Sequence, residues 1–294
     1  MSGRLLVTGA SGLVGRAVLR ALEREPWQVV PTSRSPSGLP EHRSCDLSDP
    51  ALARELLAEV RPDVVVHLAG GTAATPGELY RNNVLATVHL LEAAARLGAP
   101  PYCLVFGSAA EYGDASEEPI AESAPLRPVT DYGRAKAAQT TLAAWLGRAR
   151  GMPLTVLRPF NLVTHELPAT TALGNLRRQL LAGSGAARTI ECGRLDIVRD
   201  FIPLATVEEA IRRLLEAPAP ERTLNLCSGV GIAVGAILDA MAEQLGVTLR
   251  VVERPELAAI PAAPQVVGDP TALRATLGLT VTPTPGSLAE LLLH

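Results

Sequence analysis

Apolar residues along this chain recur with two different periods. Runs with little polar interruption fall at 5–8, 28–32, 64–68, 102–107 and 154–158, and Val64-Val65-Val66 has no polar alternation at all. Such runs predict strands covered on both faces, as in a parallel sheet. Between them, apolar positions repeat at helical spacing over 13–24, 51–59, 79–97 and 132–148. Ser48-Asp49-Pro50 offers an N-cap with proline in the first turn, and Gly98 follows the third helix where a left-handed cap is expected. The alternation of strand and helix predicts an α/β fold with a doubly wound parallel sheet.

After residue 158 the alternation becomes irregular, with prolines at 168, 203, 218 and 220. A helix over 207–216 and a strand over 223–227 read as returning to the main sheet. The expected division is a first domain of residues 1–160 with 198–232 returning to it, and a smaller C-terminal lobe of 161–197 and 233–294.

Composition narrows the function classes. Apolar residues make up 47% and aromatic residues 3% of 294 positions, which describes an aliphatic core of ordinary size. A formal charge of −3 without a basic run excludes a polyanionic partner, whether nucleic acid or anionic membrane. No apolar stretch approaches the roughly 18 residues of a membrane span, and the chain opens directly on a strand, so a cytoplasmic protein is expected. Cys45, Cys103, Cys192 and Cys227 form no CxxC pair. They read as buried thiols, with no metal site expected.

The first candidate site is Gly9-Ala10-Ser11-Gly12-Leu13-Val14-Gly15, set between the first strand and the first helix. Glycines at such a turn permit positive φ, close backbone approach and tight helix packing, and the helix N-terminus offers free N–H groups to an anion. The GxxGxxG spacing is one residue longer in its first gap than the GxGxxG fingerprint. It reads as a dinucleotide phosphate cradle in a Rossmann-like sheet.

The second candidate is Tyr132-Gly133-Arg134-Ala135-Lys136, which puts a phenol and an ammonium one helical turn apart on one face. A phenol of ordinary pKa near ~10 exchanges protons poorly at neutral pH, and a neighbouring cation lowers that value. Ser108 closes the fourth strand run, at the carboxyl edge where such sheets bind ligands. Its hydroxyl is placed to donate to a substrate oxygen while Tyr132 exchanges the proton and a nicotinamide exchanges the hydride. A strand-end cap is the alternative for Ser108.

Together with Asp46-Leu47, His67-Leu68-Ala69-Gly70, Asn83-Val84, Arg158-Pro159-Phe160-Asn161, Arg199-Asp200-Phe201-Ile202 and Asn225-Leu226-Cys227-Ser228-Gly229, these motifs run almost end to end. In them the chain resembles the extended short-chain dehydrogenase/reductases, the family of nucleotide-sugar epimerases, dehydratases and 4-ketoreductases. The resemblance implies that Ser108, Tyr132 and Lys136 are catalytic, with Asn83 supporting the lysine through water. It implies a cofactor set of Gly9, Ser11, Gly12, Leu13, Gly15, Ser33, Arg34, Asp46, Leu47, Leu68, Ala69, Gly70, Asn83, Phe106, Tyr132, Lys136 and Pro159. The implied substrate residues are Ser108, Ala109, Tyr132, Asn161, Arg178 and Arg199, with Arg177 a further candidate for phosphate. His67 reads rather as a packing residue. Asn83 and Arg199 keep the alternatives of satisfying a backbone group and of pairing with a surface acid. The resemblance also implies a homodimer through the Ala/Leu-rich third and fourth helices.

At the end of the second strand stand Ser33 and Arg34, where an acidic residue would bind the ribose of NAD. An arginine there suits the 2′-phosphate of NADP, with a solvated loop arginine as the alternative. Relatives that dehydrate sugars carry acid and base directly after the active-site hydroxyl, and this chain has Ala109 and Ala110. Elimination is therefore disfavoured. The segments 193–202 and 267–278 resemble those of GDP-4-keto-6-deoxymannose reductases and NDP-hexose 4-ketoreductases. The expected activity is an NADPH-dependent 4-ketoreduction of a nucleotide-linked sugar. A nucleotide-sugar 4-epimerase, a reductase of a non-nucleotide ketone and a nonenzymatic NADP sensor are the alternatives. Leu257-Ala258-Ala259-Ile260 departs from the arginine-containing segment of those relatives.

Overall fold

The computed structural model describes residues 3–36, 38–72, 75–113, 119–254, 256 and 263–294. The segment 257–260 lies outside them. In chain order the first half comprises β1 (Arg4–Thr8), α1 (Leu13–Leu22), β2 (Gln28–Ser33), β3 (Arg43–Ser44), α2 (Pro50–Val60), β4 (Val64–His67), α3 (Pro76–Leu79), a π-helical segment (Tyr80–Leu85), α4 (Ala86–Ala94), β5 (Tyr102–Phe106), α5 (Asp131–Arg150) and β6 (Leu154–Pro159). The second half comprises β7 (Asn161–Val163), α6 (Ala172–Ala182), β8 (Ala187–Cys192), β9 (Val198–Pro203), α7 (Leu204–Glu216), β10 (Arg222–Leu226), β11 (Gly231–Ala233), α8 (Val234–Leu245), β12 (Thr248–Glu253), β13 (Gln265–Val266), α9 (Thr271–Leu277) and α10 (Pro285–Leu293).

Seven parallel strands form the main sheet in the order β10-β6-β5-β4-β1-β2-β3. The order reverses at β1, the Rossmann-like doubly wound arrangement that opens a ligand crevice at the carboxyl ends of β1 and β4. One face is covered by α1, α7 and α9. The other face packs against α2, α4 and α5. Asp49 caps α2 by accepting the Ala51 and Leu52 amides, with Pro50 in the first turn.

The helix expected over 79–97 is instead three pieces. Thr75 and Glu78 form a capping box that starts α3 earlier. Within the π segment the Asn83 side-chain amide donates to the Leu79 carbonyl at 2.9 Å, occupying the acceptor that α-helical geometry would give to the Asn83 backbone N–H. Gly98 does not act as a left-handed cap. α4 ends at Ala94, the right-handed Ala95 caps it, and the chain leaves through tight bonds from Arg96 to Ala93 and from Leu97 to Ala94.

The lobe boundary also differs from the expectation. β9 is the centre of a second sheet, pairing with β7, β11 and β13, so residues 198–203 leave the main sheet. Conversely, Leu273, Leu277 and Leu279 complete the apolar face of α7 and β10, which brings α9 back to the main core. The smaller lobe buries a core of its own among α6, α8 and α10, and β8 pairs with β12 beside it.

Asp200 of β9 joins the parts. Its buried carboxylate accepts the Ser228 amide, the Ser228 hydroxyl, the Gly229 amide and the Gly268 amide. No helix among the described residues is long and apolar enough to cross a membrane.

Candidate active site

The glycine turn is built as its sequence requires. Gly9 has φ +69°, and a Cβ on it would meet the Leu68 carbonyl and the Ala69 amide at 2.7–2.8 Å. Only glycine takes that conformation at that distance. Gly12 is the N-cap of α1 and carries no side-chain cap, so the first amides of α1 remain free for an anion. Gly15 is buried within α1 against the turn, and Leu13 opens the same helix.

Ten residues expected at a dinucleotide line one groove of about 300 Å³: Gly9, Ser11, Gly12, Ser33, Arg34, Asp46, Leu47, Leu68, Ala69 and Gly70. Arg34 is exposed at its end, with a long contact of 3.4 Å to Asn82. The Ser33 hydroxyl is already engaged, donating to the Ser35 carbonyl and meeting His42 Nε2 at 2.7 Å. The Asp46 carboxylate pairs with Arg81 and accepts from Ser48. Thr32 Oγ1, buried in the same groove, has no protein partner. A turn that excludes Cβ atoms, free helix amides and an unpaired hydroxyl fit a dinucleotide. A second, larger groove of about 940 Å³, between α7 and α10, contains none of the candidate residues.

At the end of β5, Ser108 caps a short 3-10 turn (Ala109–Glu111), its hydroxyl accepting the Ala110 amide. The Glu111 carboxylate returns to accept the Ser108 amide at 2.8 Å, the Thr140 hydroxyl at 2.6 Å and Arg158 Nε at 2.8 Å. Arg158 lies over the Tyr112 ring and donates to its hydroxyl, which in turn donates to Asn225. Glu111 therefore faces inward and is held by a buried cation.

Tyr132 and Lys136 sit on α5, capped by Thr130. Burial pushes the Tyr132 phenol above its usual value; the Ser108 hydroxyl opposes this and the Glu111 charge adds to it. The lowering of the phenol expected from Lys136 is not what governs it here. The ammonium is committed elsewhere, donating to the Phe106 carbonyl at 2.7 Å and to Gln139 Oε1 at 2.9 Å. Burial pushes Lys136 down to about 8, against the favourable pull of Glu111. It is the one lysine of the sequence.

Asn83 and Lys136 converge on Gly70, where a Cβ would lie 2.5 Å from Asn83 Oδ1 and 3.6 Å from Lys136 Nζ. Asn83 Nδ2 is satisfied by the Gly71 and Leu79 carbonyls, whereas its buried Oδ1 has no protein partner. His67 is fully buried between the Thr8 and Thr87 hydroxyls, and burial drives it down to about 3. It packs and bonds within the core.

Pro159 ends β6, and Asn161 donates to the Asp200 carbonyl. Arg199, half-buried, folds back on the Val198 carbonyl, and Arg178 is exposed on α6 with Asn175 as its partner. Arg177 is taken by the Leu292 carbonyl of α10, so its role is in packing the lobe.

Residues 5–227 match the NAD dependent epimerase/dehydratase family. The chain belongs to that family.

This epimerase/dehydratase-family chain is an NAD(P)-dependent enzyme. It is 29% identical over 289 residues to a GDP-6-deoxy-D-talose 4-dehydrogenase of Aggregatibacter actinomycetemcomitans, covering 94% of this chain and 91% of the relative. It is 30% identical over 266 residues to a GDP-6-deoxy-D-mannose reductase of Pseudomonas aeruginosa, covering 87% and 84%. A UDP-glucose 4-epimerase of Streptomyces lividans is 29% identical over 310 residues, covering 95% and 89%. Among solved structures, RMD from Pseudomonas aeruginosa complexed with NADPH superposes with a TM-score of 0.85 at 27% identity, covering 100% and 97%.

Sequence reasoning missed Glu111 as an inward-facing ion-pair partner and missed Gln139 altogether. Four buried polar residues, Glu111, Thr140, Arg158 and Asn225, now surround the hydroxyl-bearing turn. Arg158 and Asn225 stood in motifs quoted above, whereas Glu111 offered only a single charge between Ala110 and Tyr112.

Proposed function

We propose that this enzyme is an NADPH-dependent 4-ketoreductase of a nucleotide-linked 4-keto-6-deoxy sugar. The observation that carries the reading is the meeting of three groups at the end of β5: the Ser108 hydroxyl bonds the Tyr132 phenol, and Lys136 reaches the Phe106 carbonyl two residues before Ser108. Burial pushes the phenol's pKa up, and a protonated phenol is the donor that carbonyl reduction needs. When bound, the nicotinamide supplies the hydride. Ser108 and Tyr132 donate to the ketone oxygen, Tyr132 gives up its proton there, and the Lys136 ammonium stabilises the phenolate left behind. Ala109 and Ala110 can transfer no proton, and Glu111 is bound to Arg158, which argues against water elimination. Arg34 at the groove's end favours the 2′-phosphate of NADP. Asn161, Arg178 and Arg199 are the proposed sugar-nucleotide contacts on the smaller lobe. A homodimer is proposed through α4 and α5, where Leu142 and Trp145 of α5 and Leu85, just before α4, are exposed.

One other reading has specific support. The likeness to the UDP-glucose 4-epimerase favours an enzyme that retains NAD and recycles the hydride internally. The deciding experiment incubates purified protein with NADPH and a panel of keto-sugar nucleotides and simple ketones, following nicotinamide absorbance. Reductase activity is expected, with Tyr132→Phe slower by about 10²–10⁴-fold in kcat. Tightly held NAD and conversion of a nucleotide sugar without added reductant would establish the epimerase instead.

A further inference from the structure

Lys136 donates to Gln139 Oε1 one turn along α5. Gln139 is wholly buried, and its amide nitrogen donates to Thr87 Oγ1 of α4 at 2.9 Å. The Thr87 hydroxyl spends its only proton on the Asn83 carbonyl at 2.6 Å. Its oxygen therefore accepts from both remaining partners, Gln139 Nε2 and His67 Nε2. His67 must then carry its proton on Nε2, and its Nδ1 accepts from Thr8 Oγ1, whose oxygen receives the Ala69 amide. Every proton in this buried chain has one direction. A flipped Gln139 would turn its NH₂ toward the ammonium and its oxygen toward a hydroxyl with no proton left to give.

We infer that Gln139 is a positioning residue for Lys136: its amide, locked by Thr87 and through it by His67, presents a fixed carbonyl that holds the ammonium in the active site. The inference rests on the reading of Lys136 as an active-site residue given above. The backbone carbonyl of Phe106 also accepts from the ammonium, at 2.7 Å, and the other groups that face the amine are few. Glu111 of the 3-10 turn favours the ammonium and is itself shared with Arg158 of β6. His67 of β4 is neutral, Tyr132 lies on α5 itself, and the π segment and α4 contribute the uncharged Asn83 and Thr87. In so dry a site one correctly aimed carbonyl weighs heavily on a cation.

Because the chain has a single lysine, protein grown on ¹³C-lysine gives one Cε resonance that titrates with this amine alone, without cofactor or substrate. Q139M, which keeps the shape and removes the acceptor, is expected to lower the midpoint from about 8 by about one unit or more. Q139E replaces the carbonyl by a carboxylate and is expected to raise it. T87V leaves Gln139 in place but releases its amide, moving the midpoint in the Q139M direction by less. The alkaline limb of kcat should follow the same order. A glutamine that only fills space would lower the melting temperature in all three without ordering the midpoints. Q139M and Q139E midpoints that shift the same way, or that stay with the wild type, overturn the inference. Should Q139M fail to fold, Q139E and T87V decide it by their opposite signs. Ordered midpoints in a protein that turns over no keto-sugar nucleotide would uphold the positioning role and sink the reductase reading instead.

Discussion

Glu111 and Arg158 form an ion pair closed off from solvent, 2.8 Å between Oε2 and Nε, and the same carboxylate holds the amide of Ser108. The pair thus sets the turn that presents the Ser108 hydroxyl. Glu111→Ala leaves the Arg158 charge buried and unmatched, with an expected loss of about 3–5 kcal/mol in urea unfolding. Replacing both residues by apolar ones of similar volume should recover part of that loss, because no orphan charge remains. Activity should not return with stability in the double variant, since the Ser108 amide has lost its acceptor.

Cofactor choice is expected to turn on the end of β2. Ser33→Asp adds a carboxylate beside Arg34, the residue proposed to favour a 2′-phosphate, and NADPH affinity should fall roughly tenfold to a hundredfold while NADH affinity rises. Titration of each nucleotide by calorimetry checks it. NADPH binding unchanged by the new charge would remove the basis for an NADP preference.

Lys136 gives a signed pH dependence. Its folded value, about 8, lies below the ordinary 10.5, so between those values the unfolded chain binds the extra proton. Its burial penalty is therefore full below about pH 8 and is relieved as pH rises towards 10.5, so this residue contributes a gain in stability with pH across that window. Lys136→Met should lack that contribution, so the difference between the two proteins' unfolding free energies should carry the slope, rising with pH between about 8 and 10.5. Turnover should run oppositely, falling as pH passes about 8 and the ammonium is lost.

Trp145 is 56% exposed on α5, one turn from the exposed Leu142. An isolated surface tryptophan is unusual, and two large apolar groups on one helix face suit burial against a second copy. Trp145→Glu is expected to shift sedimentation from dimer to monomer with the lone subunit still folded. A wild-type protein that sediments as a monomer at micromolar concentration would remove this interface from consideration.

Much of the architecture was legible because it is written in periods. The unbroken apolar runs at Leu5–Leu6–Val7 and Val64–Val65–Val66 became the central strands β1 and β4, and Gly9, Gly12 and Gly15 could hardly serve elsewhere. β3 was missed because Arg43 and Ser44 are too few and too polar to leave a pattern. The π segment was invisible for a different reason: what breaks the helix is where the Asn83 amide points, and hydrophobic spacing carries no record of that. β9 was placed with the main sheet because its own sheet is decided by partners 40 residues away on one side and 67 on the other. Ser108, Tyr132 and Lys136 were read together from the sequence, and the structure brings the Tyr132 phenol to the Ser108 hydroxyl while Lys136 turns to the Phe106 carbonyl and Gln139. The roles of Glu111 and Gln139 depend on residues far off in the chain, and a single charge or amide on an apolar stretch does not say whom it meets.

The four donors around Asp200 come from beyond β10 and from the stretch after β13, while the carboxylate itself belongs to the centre of the smaller sheet. Neither lobe can melt alone without stranding that carboxylate away from water and from its amides. Denaturation is thus expected to be a single all-or-none transition, with circular dichroism and tryptophan emission tracing the same curve. A cut in the backbone between the lobes should leave two fragments that stay together until both unfold.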